Sequence, residues 1–506
     1  MKKSHTSQRF GTLREEDRLH FYVSADRADY VSVVGDFNDW DPASTPMVKD
    51  ADGIWEASVA TSLLTDGENY KFYLVRDGQS FYRADPFAKR AQPAPETASV
   101  IDLGEPFLWT DEGWMQYRRN TFSADGARRA PVSVYRVSLP NWQRTSDGGL
   151  LSYESLATEL STYAKQMGYT HVELFPLFGS RPVGNGDSVG TYFAPDVALG
   201  TPAEFCGFVR KMHGAGVGVL LDILPSHVAE DASGIRSFDG RPVTKEDEPL
   251  LQLLFEELAS KYHIDGFLID KSALEGMEQT DASNLLSSIA LALSEKIPDL
   301  LLSILSPASD TPLADLCARL CPDCEPLCRA FGEMENRLHT DGMQNFALYK
   351  TYLLALLTLP GKKRTLMGRE FEGLTNLARE DESTPSWGLL EQDMHADLQR
   401  FTAALNHFYL REPALWQEDG FTPLSAPPVE GVCGYLRQDG EGNTRMLLFN
   451  TTDRERTFTV SAPSDTVLPR ALFYTVEERT ALLRPDPNGN DTLELFLPPF
   501  GAVILG

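Results

Sequence analysis

From Pro131 to about Leu415 the chain alternates short β-rich runs with longer helical runs, and no other feature constrains the fold as much. The series begins with a β-rich run at 132–137, a helical run at 153–167 and a second β-rich run at 170–175. Repeated β–α units form parallel sheets, because parallel strands need a long crossover that a helix usually supplies. Over a segment of this length the natural closure is a (β/α)8 barrel. The sequence therefore predicts a central TIM-type barrel over residues 131–415.

The regions on either side of this segment have a different pattern of apolar and polar residues. From Leu19 to Leu103 short runs alternate apolar and polar residues and are broken by Gly, Asp, Asn and Pro, which is typical of antiparallel strands. Short strands return after Trp416 and continue to the end of the chain. The predicted fold is therefore multidomain, with an N-terminal β-sandwich at 1–105, a linker at 106–130, the barrel, and an all-β domain at 416–506.

The charge balance narrows the classes of ligand. The 506 residues include 46 Lys and Arg against 73 Asp and Glu, which gives a formal net charge of −27. Such a surface repels nucleic acid phosphates and anionic lipids, so a neutral ligand is expected, with no nucleic acid and no membrane as partner. The first residues form no apolar leader and no later run reaches the length of a membrane span. We expect a cytoplasmic protein.

Several motifs in the first domain point to a known family. They are Val31–Trp40 (VSVVGDFNDW), Gly53–Glu56, Tyr70–Phe72 and Asp85–Ala88. In order and spacing they resemble the starch-binding module called carbohydrate-binding module family 48. Flat aromatic faces can stack on glucose rings, so the resemblance makes Trp40 and Trp55 candidate glucan platforms. The alternative is that both indoles fill the core of the sandwich.

The barrel segment carries a second set of motifs. They include Gly168–Pro176 (GYTHVELFP), Tyr192–Pro195, Gly200–Phe205, His263–Gly266 and Met367–Phe371. Together they resemble the 1,4-α-glucan (glycogen) branching enzymes of glycoside hydrolase family 13, an α-amylase-like family, over nearly the whole chain. The resemblance implies an α-glucan as partner, retaining glycosyl transfer as chemistry, and a sugar contact by Tyr192.

Retaining transfer needs one carboxylate as nucleophile and a second carboxyl group about 5 Å away as acid and base. The resemblance places Asp270 at the nucleophile position, at the end of a predicted strand. It assigns supporting roles to Asp222 and His227 in the motif DILPSH. The family's third carboxylate has only a distorted counterpart in Asp341.

The sequence departs from the family where the chemistry is performed. The family's acid/base position is Ser306, and serine does not ionise near neutral pH. The arginine that the family places two residues before the nucleophile is Leu268. The chain is also shorter than the family after Gly240 and between Pro312 and Asn345, and the segment 178–191 lacks the aromatic sugar platform. Shortened loops and a degenerate, catalytically impaired member of the family are therefore expected.

Four cysteines within twelve residues are not part of the family pattern. Cys317, Cys321, Cys324 and Cys328 have the spacing of a CxxC core with two outer cysteines. Four thiolates can hold zinc or an iron–sulfur cluster. The alternative is that the cysteines are reduced and pack as small apolar residues on a helix and turn. No cofactor is required by the family chemistry.

Three functions follow as hypotheses. The first is a catalytically silent glucan-binding protein that recruits or regulates other proteins of glycogen metabolism. The second is an active branching enzyme or glucan hydrolase with a displaced acid, for which Asp310, Glu333 and Glu335 are candidates. The third is a structural scaffold built around a metal at the cysteine cluster.

Overall fold

The structure is a computed structural model of the full chain. It describes most of the chain, in these ranges: 10–25, 27–51, 53–93, 96–123, 129–175, 193–223, 248–270, 279–305, 313–320, 325–340, 345–373, 384–417, 420–424, 429–461, 470–476, 484–485 and 492–506.

The N-terminal domain is a sandwich of two antiparallel sheets. Its strands are β1 (Gly11–Glu15), β2 (Arg18–Ser24), β3 (Tyr30–Gly35), β4 (Val48–Lys49), β5 (Ile54–Ala60), β6 (Asn69–Arg76), β7 (Gln79–Arg83), β8 (Arg90–Ala91) and β9 (Ser99–Val100). One sheet has the order β1-β2-β5-β4, and the other has the order β3-β6-β9-β8 with β7 paired to β6. Alternate residues such as Val31, Val33, Tyr70 and Phe72 are fully buried between the sheets, which is the period-two pattern expected of strands with one face in a core.

The predicted linker contains a helix that the sequence did not indicate. Helix α1 (Glu112–Phe122) follows the sandwich, and its Trp114 and Arg118 side chains are almost completely buried. The sequence shows no regular helical spacing of apolar residues here, because one of the two buried side chains named is an indole with a polar N–H group and the other is a guanidinium. The segment is therefore anchored and does not act as a loose connector.

Helices and parallel strands alternate through the middle of the chain. The elements are β10 (Ser133–Val137), α2 (Leu139–Trp142), α3 (Tyr153–Gln166), β11 (His171–Leu174), α4 (Pro202–Gly214), β12 (Gly218–Ile223), α5 (Glu248–Lys261), β13 (Gly266–Asp270), α6 (Gln279–Lys296), β14 (Leu301–Leu305), α7 (Leu313–Leu320), α8 (Glu325–Thr340), α9 (Phe346–Thr358), β15 (Lys363–Leu366), α10 (Arg369–Glu372), α11 (Asp393–Arg411) and α12 (Pro413–Trp416). In the described part of the chain six of these strands form one sheet in the order β14-β13-β12-β11-β10-β15.

Local sequence signals explain several of these boundaries. Thr201 caps α4 by accepting a hydrogen bond from the backbone of Glu204, whose side chain bonds back to the Thr201 amide. Pro202 occupies the first turn, where its missing N–H costs nothing. At β13, Gly266 permits close approach to the next strand, since a Cβ atom there would lie 2.1 Å from the carbonyl oxygen of Leu301.

The C-terminal domain is all-β, as predicted. Its strands are β16 (Phe421–Pro423), β17 (Val432–Gln438), β18 (Thr444–Asn450), β19 (Arg456–Ser461), β20 (Ala471–Tyr474), β21 (Arg484–Pro485), β22 (Thr492–Leu497) and β23 (Ala502–Leu505). They form a five-stranded sheet, β16-β17-β18-β23-β20, and a three-stranded sheet, β19-β22-β21. One apolar cluster joins this domain to α7, α8, α9 and α11, and includes Cys317, Phe331, Leu354, Tyr435 and Phe449.

The chain divides into two compact units. The first comprises Met1–Arg119, Arg144–Ser161 and Leu174–Pro307, and the second comprises Asn120–Gln143, Thr162–Glu173 and Ala308–Gly506. Within the described ranges, no helix has both the length and the apolar character needed to cross a membrane.

Candidate functional site

Trp40 lies in a loop that the sandwich holds firmly. The loop follows β3, begins with a short 3-10 helix at Asp36–Asn38, and leaves Trp40 half-buried. The indole Nε1 donates to Asp36 Oδ1 at 2.9 Å. The other oxygen of Asp36 accepts from the backbone and side-chain amides of Asn69, at 2.9 and 3.0 Å. Asp36 thus fixes the indole against the start of β6.

The backbone of this loop is unusual. Asp39 and Trp40 both have left-handed φ angles, 53° and 58°, a region that residues other than glycine seldom occupy. Asn38 compensates by accepting from the Gly35 amide at 2.9 Å and donating to the carbonyl of Val33 at 3.0 Å. A strained turn that hydrogen bonds maintain and that presents an aromatic side chain is characteristic of a binding site.

Trp55 requires a correction. We expected it as a second glucan platform, but its side chain is only 8% exposed and belongs to the sandwich core. Its Nε1 donates to the backbone oxygen of Ala25 at 3.0 Å. The alternative interpretation, that this indole fills the core, is therefore the right one for Trp55.

The outer face of β6 carries further aromatic residues that the sequence analysis did not select. Tyr73 and Tyr82 are register partners on β6 and β7, with ring centroids 5.2 Å apart. Lys71, two residues earlier on the same face, donates to the hydroxyl of Thr97 at 2.7 Å. Tyr82 is 42% exposed. The signal that could have found them is the alternation itself, because Tyr70, Phe72 and Leu74 take the core face of β6.

The barrel strands carry two of the predicted catalytic residues. Asp222 is buried near the carboxyl end of β12, and Asp270 is the last residue of β13. In the parallel pairing of these strands Asp222 is the register partner of Leu268. Leu268 is itself buried, at 6% exposure. A hydrocarbon side chain thus lies beside Asp222, at the position that the resemblance predicted for the family's arginine.

Other predicted site residues lie outside the described residues. These are Tyr192, His227, Ser306, Asp310, Asp341, Cys321 and Cys324. Strand β14 ends at Leu305, which is the register partner of Asp270. In the sequence, Ser306 therefore follows directly after β14, the fifth strand of the barrel segment. The family's acid/base position is predicted at this point, after the fifth barrel strand.

A buried carboxylate near the carboxyl end of β11 is already paired. Glu173 is fully buried and accepts from Arg136 Nε at 3.1 Å and from Arg364 Nε at 2.6 Å. Two guanidinium groups, one on the neighbouring strand β10 and one on β15, which lies beyond β10 in the sheet, thus share one carboxylate. This carboxylate is therefore fully engaged in ion pairs with the two guanidinium groups.

The amino end of β13 carries a dense buried network. Asp265, immediately before the strand, accepts from Trp114 Nε1 at 2.8 Å and from the Val219 amide at 2.7 Å. It also meets His213 Nε2 at 2.9 Å and Arg118 Nη1 at 3.3 Å. Burial raises the pKa of Asp265, but the charges of His213 and Arg118 outweigh this and hold the pKa well below its usual range.

His213 bridges two carboxylates in this network. Its Nδ1 lies 2.7 Å from Asp111 Oδ2 and its Nε2 bonds Asp265. Burial lowers the pKa of His213, but the charge of Asp265 and the hydrogen bonds to both carboxylates outweigh it, so the pKa is raised above its usual value. With an acceptor at each ring nitrogen the imidazolium form is favoured.

Two of the candidate displaced acids have other surroundings. Glu335 on α8 accepts a hydrogen bond from the backbone amide of Leu313 at 2.6 Å, so it caps the start of α7. Glu333 is exposed on α8 and lines a cavity of the second unit. Neither contact is typical of a general acid.

Two of the four clustered cysteines lie within the described ranges. Cys317 on α7 is fully buried in the apolar cluster, and Cys328 on α8 packs against that cluster. Among the described residues no group of three potential ligands could hold a metal ion. The packing of Cys317 agrees with the apolar alternative, and the metal site stays a prediction.

Comparison with known proteins shows what the chain is similar to. Residues 9–88 match Carbohydrate-binding module 48 (Isoamylase N-terminal domain). The 1,4-alpha-glucan branching enzyme GlgB of Aquifex aeolicus is 28% identical over 528 residues, covering 85% of this chain and 82% of that enzyme. The branching enzyme GlgB of Salinibacter ruber is 26% identical, covering 99% of this chain and 97% of that enzyme. The chain is therefore similar to 1,4-alpha-glucan branching enzymes over most of its length, and we call it branching-enzyme-like in that sense.

Solved structures share the fold of this branching-enzyme-like protein. The pullulanase SAP of Group B Streptococcus superposes with a TM-score of 0.69 at 14% identity, covering 98% of this chain and 87% of that one. Pullulanase type I of Bacillus subtilis, complexed with maltose, gives a TM-score of 0.71 at 15% identity, with 98% and 85% covered. These likenesses confirm the predicted architecture, with its TIM-type barrel.

The Salinibacter alignment also bears on the shortened loops. It extends over 613 residues although this chain has 506. The branching-enzyme-like protein therefore lacks stretches of sequence that the relative has, although the relative is matched almost from end to end.

Proposed function

We propose that this branching-enzyme-like protein binds α-glucan through its N-terminal module and does not catalyse glycosyl transfer. The observation that carries the proposal is the residue that follows β14. The acid/base position of the family falls on Ser306, one residue after the register partner of Asp270. A hydroxyl group cannot protonate a leaving glycosidic oxygen near neutral pH, and this proton transfer contributes about 10²- to 10⁴-fold to the rate.

The neighbourhood of the nucleophile supports the same conclusion. Leu268 is buried beside Asp222 and two residues before Asp270. Without the family's guanidinium, position 268 supplies no positive charge and no hydrogen-bond donor to a neighbouring carboxylate.

Binding is supported by the sandwich. The Trp40 loop is held by Asp36 and Asn38 before any ligand arrives, so little conformational freedom is lost on binding. The same sandwich domain offers further groups that could contact a sugar. These are the aromatic rings of Tyr73 and Tyr82 and the ammonium group of Lys71. Such rings stack on the apolar faces of sugars.

The relatives supply the substrate class. They are named 1,4-alpha-glucan branching enzymes, and we infer that this chain binds the same polymer, as glycogen or starch. A chain that binds the polymer without cleaving it would act by recruiting or regulating the other proteins of glycogen metabolism.

Glycogen co-sedimentation tests the binding half of the proposal. The unmodified chain should sediment with glycogen, and Trp40→Ala should weaken binding about tenfold, because stacking of one aromatic ring is worth roughly one to two kcal/mol. Tyr474→Ala is the matched control, since Tyr474 is an aromatic residue of the C-terminal domain with 38% exposure. Equal binding by the Trp40 variant and the unmodified chain would remove Trp40 from the site.

A turnover assay with amylose, read by iodine staining and by reducing ends, tests the other half. Turnover would favour an active enzyme with a displaced acid. Failure to bind any α-glucan, together with zinc or iron in the purified protein, would favour the metal scaffold.

A further inference from the structure

The second unit contains a cavity that the glucan chemistry does not use. Its volume is about 510 Å³, and it lies between helix α8 and the ends of strands β17, β18 and β19. Three arginines line it, Arg329, Arg337 and Arg456. A cavity of this size fits a ligand of about the size of a sugar phosphate.

Helix α8 contributes one wall. Arg329, Glu333 and Arg337 follow one another at intervals of four residues, so they share one face of the helix, and this face lines the cavity. Arg329 meets the carboxylate of Glu325 only at 4.0 Å, and both side chains are largely exposed. Arg337 places its guanidinium 5.9 Å from the ring centroid of Phe500. This stacking holds the head group while leaving its N–H donors available.

Arg456 contributes the second wall and carries the argument. It is the first residue of β19, where pairing with Leu497 on β22 fixes its backbone. Its Nε atom is buried and donates no hydrogen bond to any described residue. A buried donor without an acceptor is unfavourable, so the protein does not fully satisfy this guanidinium. Its Nη2 atom approaches the cavity at Gly431, where a ligand oxygen could accept from it.

The floor of the cavity is kept open by a glycine. Gly431 has a φ of +80°, and a Cβ atom there would lie 2.2 Å from Thr452 Cγ2 and 3.6 Å from Arg456 Nη2. Thr452 is fixed in turn, because its hydroxyl donates to Asn450 Oδ1 at 2.7 Å. A side chain at 431 would fill the space in front of the guanidinium.

The charge of the lining contrasts with the rest of the chain. Two carboxylates, Glu333 and Glu430, face the three arginines, so the lining has a small positive excess in a chain of net charge −27. Among the described residues neither Arg337 nor Arg456 has a carboxylate within ion-pair distance. The guanidinium groups are therefore available to an external anion.

We propose that this cavity binds a sugar phosphate. Guanidinium groups match the oxygens of a phosphate, to which they donate paired hydrogen bonds. The carboxylates of Glu333 and Glu430 can accept hydrogen bonds from sugar hydroxyls, and they disfavour a ligand that is anionic throughout. The site thus recognises a compact molecule with one anionic end and several hydroxyls, and it does not depend on glucan binding by the sandwich.

Calorimetric titration of the full chain tests the site, with glucose 6-phosphate, inorganic phosphate and glucose as probes. Glucose 6-phosphate should bind, inorganic phosphate should bind more weakly, and glucose should not bind. Arg456→Gln should weaken glucose 6-phosphate binding by about tenfold or more, since a charge-assisted pair with phosphate is lost. Arg337→Gln, on a separate element, should weaken it as well, which guards against a folding defect in the first variant.

Arg454→Gln is the matched control, because Arg454 is exposed two residues before Arg456 and does not line the cavity. The Arg454→Gln variant should bind glucose 6-phosphate with the affinity of the unmodified chain. The melting temperatures of all variants should lie within a few degrees of that of the unmodified chain. Equal binding of glucose and its phosphate, no binding of any probe, or unchanged affinity in both lining variants would overturn the proposal. So would a preference for inorganic phosphate over the sugar phosphate, which would leave an ordinary anion site.

Discussion

The two ends of strand β13 have very different surroundings. At its amino end, Asp265 is surrounded by donors from Trp114, Arg118, His213 and the Val219 amide. Toward its carboxyl end, Leu268 is a buried aliphatic residue beside Asp222. In barrels of this kind the amino ends of strands serve stability and the carboxyl ends serve catalysis. One strand can therefore hold the fold together after its catalytic end has changed.

This difference also explains why the resemblance covers the whole chain. The scaffold signals, such as Gly266 and the capping box of Thr201 and Glu204, serve packing and capping. They are needed whether or not a glycosidic bond is broken.

The largest effect is expected at the amino end. Asp265→Asn should lower the free energy of unfolding by about 3–5 kcal/mol, because it removes the one carboxylate that the buried Arg118 and His213 share and leaves only Asp299 and Asp111 to balance their charges. Urea unfolding measures this. Glu325→Gln, which breaks the exposed pair with Arg329, is the control and should cost less than about 1 kcal/mol. A loss at Asp265 no larger than the control would show that the network contributes little.

A somewhat smaller loss of stability is expected at the carboxyl end. Leu268→Ala should cost about 2–4 kcal/mol, because Leu268 is a core residue whose truncation leaves a cavity. Leu291→Ala is the matched control, since Leu291 is 63% exposed. If both variants unfold at the same urea concentration, Leu268 does not belong to the core, and the contrast between the two ends of β13 fails.

The network should also give the chain a pH-dependent stability. The pKa of His213 is raised on folding, so its contribution is complete below the unfolded pKa of about 6.5 and is lost as pH rises through the folded value. The melting temperature of the unmodified chain should therefore fall between about pH 6 and about pH 9 more than that of His213→Gln.

Asp111 and Asp265 face the same imidazole and have lowered pKa values. Their contribution to stability is present above their unfolded pKa values and is lost only as pH falls through the lower folded values. The two aspartates therefore do not change the pH dependence of stability near neutral pH. Parallel pH profiles of the two proteins would show that His213 is not the titrating group.

The smallest effect is expected from restoring the missing groups. The double variant Leu268→Arg, Ser306→Glu should gain less than about tenfold in turnover over background, because the trimmed sugar-holding loops are still absent and positioning is worth several kcal/mol. Amylose turnover measures this, with Ser306→Gln in the same Leu268→Arg background as the control. A strong gain that requires the carboxyl group would show that only two residues separate this chain from an enzyme.

Much of the fold follows from the sequence because its signals are local. The β-rich run predicted at 132–137 and the helical run predicted at 153–167 agree with β10 and α3 to within one residue at each end, since hydrophobic periodicity acts within a few residues. The connector helix α1 was missed. Its buried side chains are held by Asp265 and Asp299, far away in sequence, and no local pattern encodes such contacts.

The same limit applies to the candidate site. The sequence selected both Trp40 and Trp55 as glucan platforms. The structure leaves Trp40 half-buried but places Trp55 in the core. Whether an aromatic residue of a strand faces the core or the solvent depends on the register of the sheet. For α7 and α8 the sequence offered only a helix and turn at the cysteine cluster, as one alternative. The arginine-lined cavity was missed, because its two walls, α8 and the strands of the C-terminal domain, are far apart in sequence.

The central claim is that binding and catalysis have separated in this chain, and one preparation can test both. The unmodified protein is incubated with amylose, and branch points are counted from the reducing ends released by a debranching enzyme, while a portion of the same sample is sedimented with glycogen. The account predicts sedimentation with glycogen and no branch points above the buffer control. Branch points that form with the unmodified chain and disappear in Asp270→Asn would contradict it.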